Sequence, residues 1–360
     1  MQVPRLVAAE DCLSDRSLSV LQTIASTQGP PLTLIEAANA KPYVLSRDEL
    51  ITRAARLARH FRDLGMQPGD KVVMLMPACV AFVTSLVALW FNGAVSVPVA
   101  HRSSSRGRAM WVDNLRHIIG AAKPRFVLGT DAALAAVAPL AGAGDARRPV
   151  IVSMSDLAEA AQNSADPELP APPDVDRWAH CQFTSGSTGK PHGVVVSHQQ
   201  IALNLQSAAR RVGVREGDVF LSWLPLHHDM GFIGGLLFPL HLGIPSVLAT
   251  TDVFARAPHV WPELISRYRV SMSPAPTFAY DLLATRVPDS RLQGLDLSCW
   301  RYAWVGAEPI FPRTLTGFRA RFRMAGLPSY ALAPCYGLAD RKSTRLNSSH
   351  PSKSRMPSSA

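Results

Sequence analysis

The stretch FTSGSTGKPHGV, Phe183 to Val194, decides what kind of chain this is. Thr184, Ser185, Ser187 and Thr188 supply hydroxyl donors, and Lys190 supplies a cation. Gly186 and Gly189 permit tight turns and let backbone N–H groups approach a ligand closely. Converging N–H and O–H donors of this kind suit phosphate oxygens. The loop is not of the Walker A type, because Pro191 rather than Ser or Thr follows Lys190 and the glycine spacing differs.

Upstream of the loop, Trp178–Phe183 reads as a strand leading into it. Residues 163–176 (NSADPELPAPPDVD), rich in Pro and acid, read as a surface connection between two halves. Before that connection, helical and strand-like patterns alternate. Ser46–Leu64 has a helical period, with Ser46 and Glu49 at the spacing of a capping box and Gly65 as its stop. Short apolar strands are expected at Lys71–Met76, Ala94–Val99, Arg125–Gly129 and Val150–Met154. Helices are expected near Ala81–Phe91 and over Met110–Ala122. Beyond the loop, strands are expected at Val219–Ser222, Ser246–Ala249, Val270–Ser273 and Arg301–Val305. Short, continuously apolar strands separated by helices predict an α/β fold of βαβ units with sheets covered on both faces.

Three later segments narrow the reading: SWLPLHHDMGFIGG (Ser222–Gly235), SPAPTFAYDLL (Ser273–Leu283), and LDLSCWRYAWVGAEPI (Leu295–Ile310) followed by PCYGLA (Pro334–Ala339). With the Ser/Thr/Gly loop, these resemble the signatures of the adenylate-forming superfamily, which includes acyl-CoA synthetases, luciferases and peptide-synthetase adenylation domains. The nearest resemblance is to fatty acyl-AMP ligases, and it covers nearly all of Leu34–Ala339. Three positions depart from the usual pattern. His192 stands where the loop usually has Lys, Thr277 where Asn is usual, and Val305 where Asn precedes Gly-Ala-Glu-Pro. A Lys near phosphates is a mobile cation, whereas His is largely neutral at pH 7.

The resemblance implies the large N-terminal domain of that superfamily, built as two layered subdomains. It implies an attack by a fatty-acid carboxylate on the α-phosphorus of ATP, yielding an acyl adenylate and pyrophosphate. Thr184, Ser185, Gly186, Ser187, Thr188, Gly189 and Lys190 would hold the ATP phosphates, with Thr184 and His228 at the reacting centre. Gly306, Ala307, Glu308 and Pro309, with Tyr336 and Gly337, would border the adenine. His228, Asp229, Met230, Gly231 and Phe278 would border the acyl chain, with Phe232–Leu240 behind them. Mg²⁺ would bridge phosphate oxygens. No side-chain metal site is expected, since His227, His228 and Asp229 lack a further spaced ligand. The acyl group would pass to the thiol of an acyl carrier protein or polyketide synthase. An acyl-CoA synthetase or peptide-synthetase adenylation domain is the alternative within the superfamily, and a truncated, non-catalytic nucleotide-binding protein the alternative outside it.

The bulk numbers agree with this reading. Apolar residues make up 47% and charged residues 18%, which suits a globular domain rather than a disordered chain. The net charge of +10 does not indicate nucleic-acid binding. Removing residues 340–360 leaves 32 basic and 26 acidic residues, and no basic stripe is interleaved with aromatics. Five scattered cysteines without a C-x-x-C pair predict neither a zinc site nor a disulfide framework, and fit a cytoplasmic protein. The apolar run Cys79–Ala100 is broken by Asn92, Gly93 and Pro98, so it predicts a buried helix and strand rather than a membrane span. Finally, DRKSTRLNSSHPSKSRMPSSA (Asp340–Ala360) shows no apolar period. It resembles one reading frame of a sequencing-library adapter, with Pro351–Lys353 at the variable index. The expectation is a partial AMP-binding N-terminal domain over 1–339, inactive as it stands and without its C-terminal lid domain, joined to a non-native disordered tail over 340–360.

Overall fold

A computed structural model describes residues 20–26, 29–38, 40–101, 107–140, 148–163, 174–184 and 191–337. It contains two sheets. The first is made of β1 (Leu32–Ile35), β2 (Tyr43–Leu45), β9 (Phe220–Ser222), β10 (Ser246–Ala249), β11 (Met272–Pro276), β12 (Tyr302–Gly306) and β13 (Leu332–Pro334). Their order across the sheet is β13-β12-β11-β9-β10-β1-β2. The second is made of β3 (Lys71–Leu75), β4 (Val95–Pro98), β5 (Phe126–Gly129), β6 (Val150–Ser153), β7 (Trp178–Thr184) and β8 (His192–Ser197), ordered β6-β5-β3-β4-β7-β8. Neighbours run parallel except at one edge of each sheet, where β2 pairs antiparallel with β1 and β8 with β7.

The parallel sheets follow from the sequence pattern. Strands β3, β4 and β5 are buried almost throughout, as a strand covered on both faces must be. The helix Val80–Phe91 is buried from Phe82 onwards and carries the apolar run that invited a membrane reading. It ends at Asn92, whose side chain donates to Ala58 O (2.8 Å) and accepts from Arg62 (2.8 Å). Gly93 then turns the chain with φ +64°, a conformation glycine adopts without a Cβ penalty. Among the described residues no helix is long and apolar enough to cross a membrane.

The helix expected over Ser46–Leu64 spans Arg47–Asp63. Ser46 Oγ accepts from the Glu49 backbone N–H (3.1 Å), which is half of a capping box. The Glu49 carboxylate is instead engaged by the Tyr43 hydroxyl (2.5 Å) and Arg53 (2.7 Å), so it braces β2 rather than the cap. A complete capping box stands at the helix His198–Val212, between Ser197 and Gln200. Besides β1 and β2, two more strands were not expected, β8 and β13. The first continues directly out of the phosphate-loop motif, and the second is only three residues long and contains Pro334. The strand expected at Val270–Ser273 is shifted to Met272–Pro276, where it pairs in parallel with β12.

The connection at residues 164–173, the tail from 338 onward and the loop residues 185–190 lie outside the described residues.

Candidate active site

Strands β9 and β11 are neighbours, and the connection from β9 runs one way across the sheet to β10 while that from β11 runs the other way to β12. In open α/β sheets such a reversal leaves a crevice beyond the carboxyl ends of the strands. The segments singled out in the sequence converge there.

Beyond β9, residues 223–229 lead into a π-helix, Met230–Leu237. Two glycines set how closely this segment packs. A Cβ on Gly231 would stand 2.3 Å from Pro225 O, and one on Gly235 would stand 2.4 Å from Ser222 Oγ. The π-helix therefore lies directly on the end of β9. Two partly buried side chains, Asp229 and Met230, follow the more exposed His228. Surrounding protein atoms lower the pKa of His228, partly opposed by the Asp229 carboxylate. His227 is pushed down to about 3 by burial, then by His228 and His101. Both imidazoles are therefore neutral at pH 7, able to donate and accept hydrogen bonds without carrying charge.

Beyond β12, Gly306 is buried and Ala307, Glu308 and Pro309 are exposed. A Cβ on Gly306 would meet Cys335 O at 2.6 Å and Sγ at 2.7 Å, so only glycine lets the residues beyond β13 lie against this strand. Ala307 has φ +66°, a left-handed conformation costing a non-glycine residue about 1 kcal/mol or more. It is held on one side by the close contact at Gly306. On the other, Glu308 Oε1 accepts the Phe278 backbone N–H (2.5 Å), tying the turn after β12 to the helix that follows β11. Tyr336 and Phe278 are both exposed, Tyr336 at 85%, which leaves ring faces open at this end. Cys335 is pushed up to about 11 by burial, with the Asp229 carboxylate adding to it.

Two of the departures from the usual motif acquire locations. Val305 is fully buried in the core of its sheet, so its side chain faces away from the turn. Thr277 is buried as well, and its hydroxyl has no partner among the described residues. Tyr280 is a core residue whose hydroxyl donates to Trp304 O (2.9 Å).

From the other sheet comes β7, which ends at Thr184. Its partner in the antiparallel ladder is His192, so the two ends of the phosphate loop stand side by side. His117 Nε2 donates to Pro191 O (2.9 Å), bracing the far end against the helix Arg108–Ala122. Ser185, Gly186, Ser187, Thr188, Gly189 and Lys190 lie outside the described residues. The sheets meet where Gln182 Nε2, two residues before Thr184, donates to His227 O. The ends of β7, β9, β11, β12 and β13 thus form one locus. Sequence reading missed Gln182 and Cys335, which have no motif of their own and enter only by tertiary contact.

Comparison with known proteins agrees with this geometry. The chain is 34% identical over 307 residues to a putative acyl-CoA synthetase of Caulobacter vibrioides, covering 85% of this chain and 52% of that protein. It is 42% identical over 165 residues to the medium-chain-fatty-acid–[acyl-carrier-protein] ligase TtuA of Teredinibacter turnerae, covering 46% of this chain and 26% of that one. The chain thus spans about half the length, or less, of these relatives. A fatty acyl-adenylate ligase from L. pneumophila, solved with acyl adenylate and pyrophosphate, superposes with a TM-score of 0.79 at 26% identity. That alignment covers 92% of this chain and 56% of the other. The family profile described as AMP-binding enzyme matches residues 32–354, and on that match the chain belongs to the AMP-binding enzyme family.

Proposed function

We propose that the protein activates a fatty acid with ATP, forming an acyl adenylate and releasing pyrophosphate, and that the acyl group then passes to a carrier-protein thiol. The observation that carries this reading is the convergence of the phosphate-loop strand β7 on the His227–Asp229 segment and the Gly306–Pro309 turn. Similarity to TtuA supports the carrier-protein acceptor, and the acyl-adenylate-bound structural neighbour supports the intermediate.

In the proposed reaction a carboxylate oxygen bonds to the α-phosphorus as the bond from that phosphorus to the bridging oxygen breaks. Pyrophosphate leaves with the electron pair. The protein forms no covalent bond, so rate enhancement rests on alignment and on stabilising the phosphate charge. Thr184 to Lys190 would supply donors to the phosphates. His228, uncharged, would offer an N–H beside the carboxylate without competing for it as an ion-pair partner. Gly306–Pro309, Tyr336 and Gly337 would receive the adenine. Asp229, Met230, Gly231 and Phe278 would line the acyl entrance. Mg²⁺ is proposed to come with the nucleotide, where it neutralises phosphate charge. Thr184, at the start of the phosphate loop, offers an oxygen donor of the kind such a hard cation takes. A cytoplasmic setting is part of the proposal, supported by free thiols at Cys79, Cys181, Cys299 and Cys335.

The AMP-binding domain is proposed to occupy 1–339, with 340–360 adapter-derived. The family match runs on to residue 354, and a long read of the source DNA across the Ala339 codon decides the matter.

The direct test is fatty-acid-dependent pyrophosphate release by the full-length enzyme. None would overturn the reading. A Ser187→Ala, Thr188→Ala double variant is expected to lose most ATP turnover. Because the Caulobacter relative is called a putative acyl-CoA synthetase, the acceptor is tested separately by supplying coenzyme A or a holo carrier protein. Transfer to coenzyme A alone would favour the alternative.

A further inference from the structure

Behind the site, a line of buried polar groups crosses from one sheet to the other. Ser96 on β4 faces His180 on β7, with Ser96 Oγ 3.2 Å from His180 Nδ1. His180 Nε2 is 3.2 Å from Gln182 Oε1, and Gln182 Nε2 donates to His227 O. Ser96, His180 and Gln182 are each 5% exposed or less. The His180 ring stacks on Phe232 of the π-helix, with centroids 4.1 Å apart and planes 13° from parallel.

The chemistry of the groups fixes the proton positions. A backbone carbonyl only accepts, so the Gln182 amide must turn its nitrogen to His227 and its oxygen to His180. That oxygen requires an N–H on His180 Nε2. Burial pushes the His180 pKa down to about 4, so the ring is neutral at pH 7 and Nδ1 is left as an acceptor. Ser96 Oγ–H has two acceptors within reach, this nitrogen at 3.2 Å and the Ala179 carbonyl at 3.1 Å, and the second also receives Trp90 Nε1–H at 2.7 Å. From His180 onward the donors point the same way, through Gln182 to the His227 carbonyl.

Strand geometry adds a second constraint. Side chains two apart lie on the same face, so His180, Gln182 and Thr184 share one. The face that delivers Thr184 to the phosphate loop therefore also grips the backbone beside His228. We propose that Gln182, oriented by His180, is a positioning residue that fixes the distance between the phosphate loop and the His228 segment, and so aligns the acyl carboxylate with the α-phosphate. This rests on the acyl-adenylation reading above. Gln182 touches no substrate and acts through the His227 backbone.

The test uses the full-length enzyme and three variants. Gln182→Met keeps length and burial but removes the amide. It is expected to lower kcat for pyrophosphate release about 10²-fold, since small misplacements of reacting groups cost that much. The KM for ATP should stay within about twofold, because the phosphate loop itself is untouched. Hydrogen exchange should speed up across Leu224–Met230 but not in β3 or β5. His180→Phe retains the stack on Phe232 and removes both ring nitrogens. It should give a comparable loss, and the double variant should be no worse than either alone, as for residues acting as one unit. Ser96→Ala, at the far end, should cost less than tenfold and carries the test if Gln182→Met fails to fold. Unchanged kcat in folded Gln182→Met, or losses that multiply in the double variant, would overturn the proposal. Absence of pyrophosphate release from the unsubstituted enzyme would instead remove the adenylation reading, while the exchange comparison still decides the strut.

Discussion

The segment after β9 and the turn after β12 solve the same problem in opposite ways. Residues 227–231 are held from beneath, by a buried donor line and by a glycine packed onto the backbone of Pro225. Residues 306–309 stand largely in solvent, and one carboxylate contact and one close approach hold Ala307 in a strained conformation. The first is rigid because water is excluded from its hydrogen bonds. The second is local strain balanced by two ties, and it is the easier of the two to release.

The sharpest break in this comparison is Gly231→Ala. Its Cβ would collide with backbone rather than with a flexible side-chain end. We expect a loss of about 3 kcal/mol or failure to fold, read by denaturant unfolding. Gly234→Ala, on the same π-helix but with nothing within 4 Å of its Cβ, is the internal control and should alter stability by less than about 1 kcal/mol. If the two variants behave alike, close packing does not anchor the segment.

Acid is the next largest lever. His180, His198 and His241 are buried, with pKa values near 4, and His227 sits near 3. Each binds its proton more weakly folded than unfolded, where the value is about 6.5. Stability is therefore full above about pH 6.5 and falls as the pH drops toward 4, by up to about 1.4 kcal/mol per pH unit for each such group. His180→Phe should flatten that slope. Unfolding midpoints independent of pH across this window would contradict the buried, neutral assignment.

At the exposed turn, Glu308→Gln keeps an acceptor for the Phe278 N–H but loses the charge. It should weaken ATP binding modestly, by about threefold to tenfold, because charge-assisted hydrogen bonds are worth more than neutral ones. The smallest effect is expected for Ala307→Gly, which relieves the left-handed strain and should change stability by no more than about 1 kcal/mol. A large destabilisation there would show that the turn is not strained.

Most strands of both halves, and three helices of the first, were legible because their periods are strong. KVVML, AVSVPV and RFVLG are short apolar runs between helical stretches, and each became a buried parallel strand. The loop glycines and hydroxyls were legible because their spacing is chemical. What stayed hidden depends on long-range contact. Gln182 reaches His227 across 45 residues, Glu308 reaches back 30 to Phe278, and Gly306 has its reason in Cys335. The capping partner expected of Glu49 was lost to Tyr43 and Arg53, which a local rule does not see. The π-helix was equally opaque, since no pattern in MGFIGGLL marks its extra residue per turn and the close contacts of Gly231 and Gly235 are with Pro225 and Ser222 outside it.

The raised pKa of Cys335 has a consequence for the lifetime of the proposed intermediate. An acyl adenylate is a mixed anhydride, open to capture by any thiolate within reach. Cys335 lies against Gly306, at the edge of the turn expected to receive the nucleotide, yet burial and the Asp229 carboxylate hold its thiol at about 11. At neutral pH roughly one molecule in ten thousand would carry the reactive anion, by the spacing between that value and pH 7. In the proposed reaction the same carboxylate that stands beside His228 would help keep the protein from acylating itself, and would leave the activated acid for an acceptor arriving from outside.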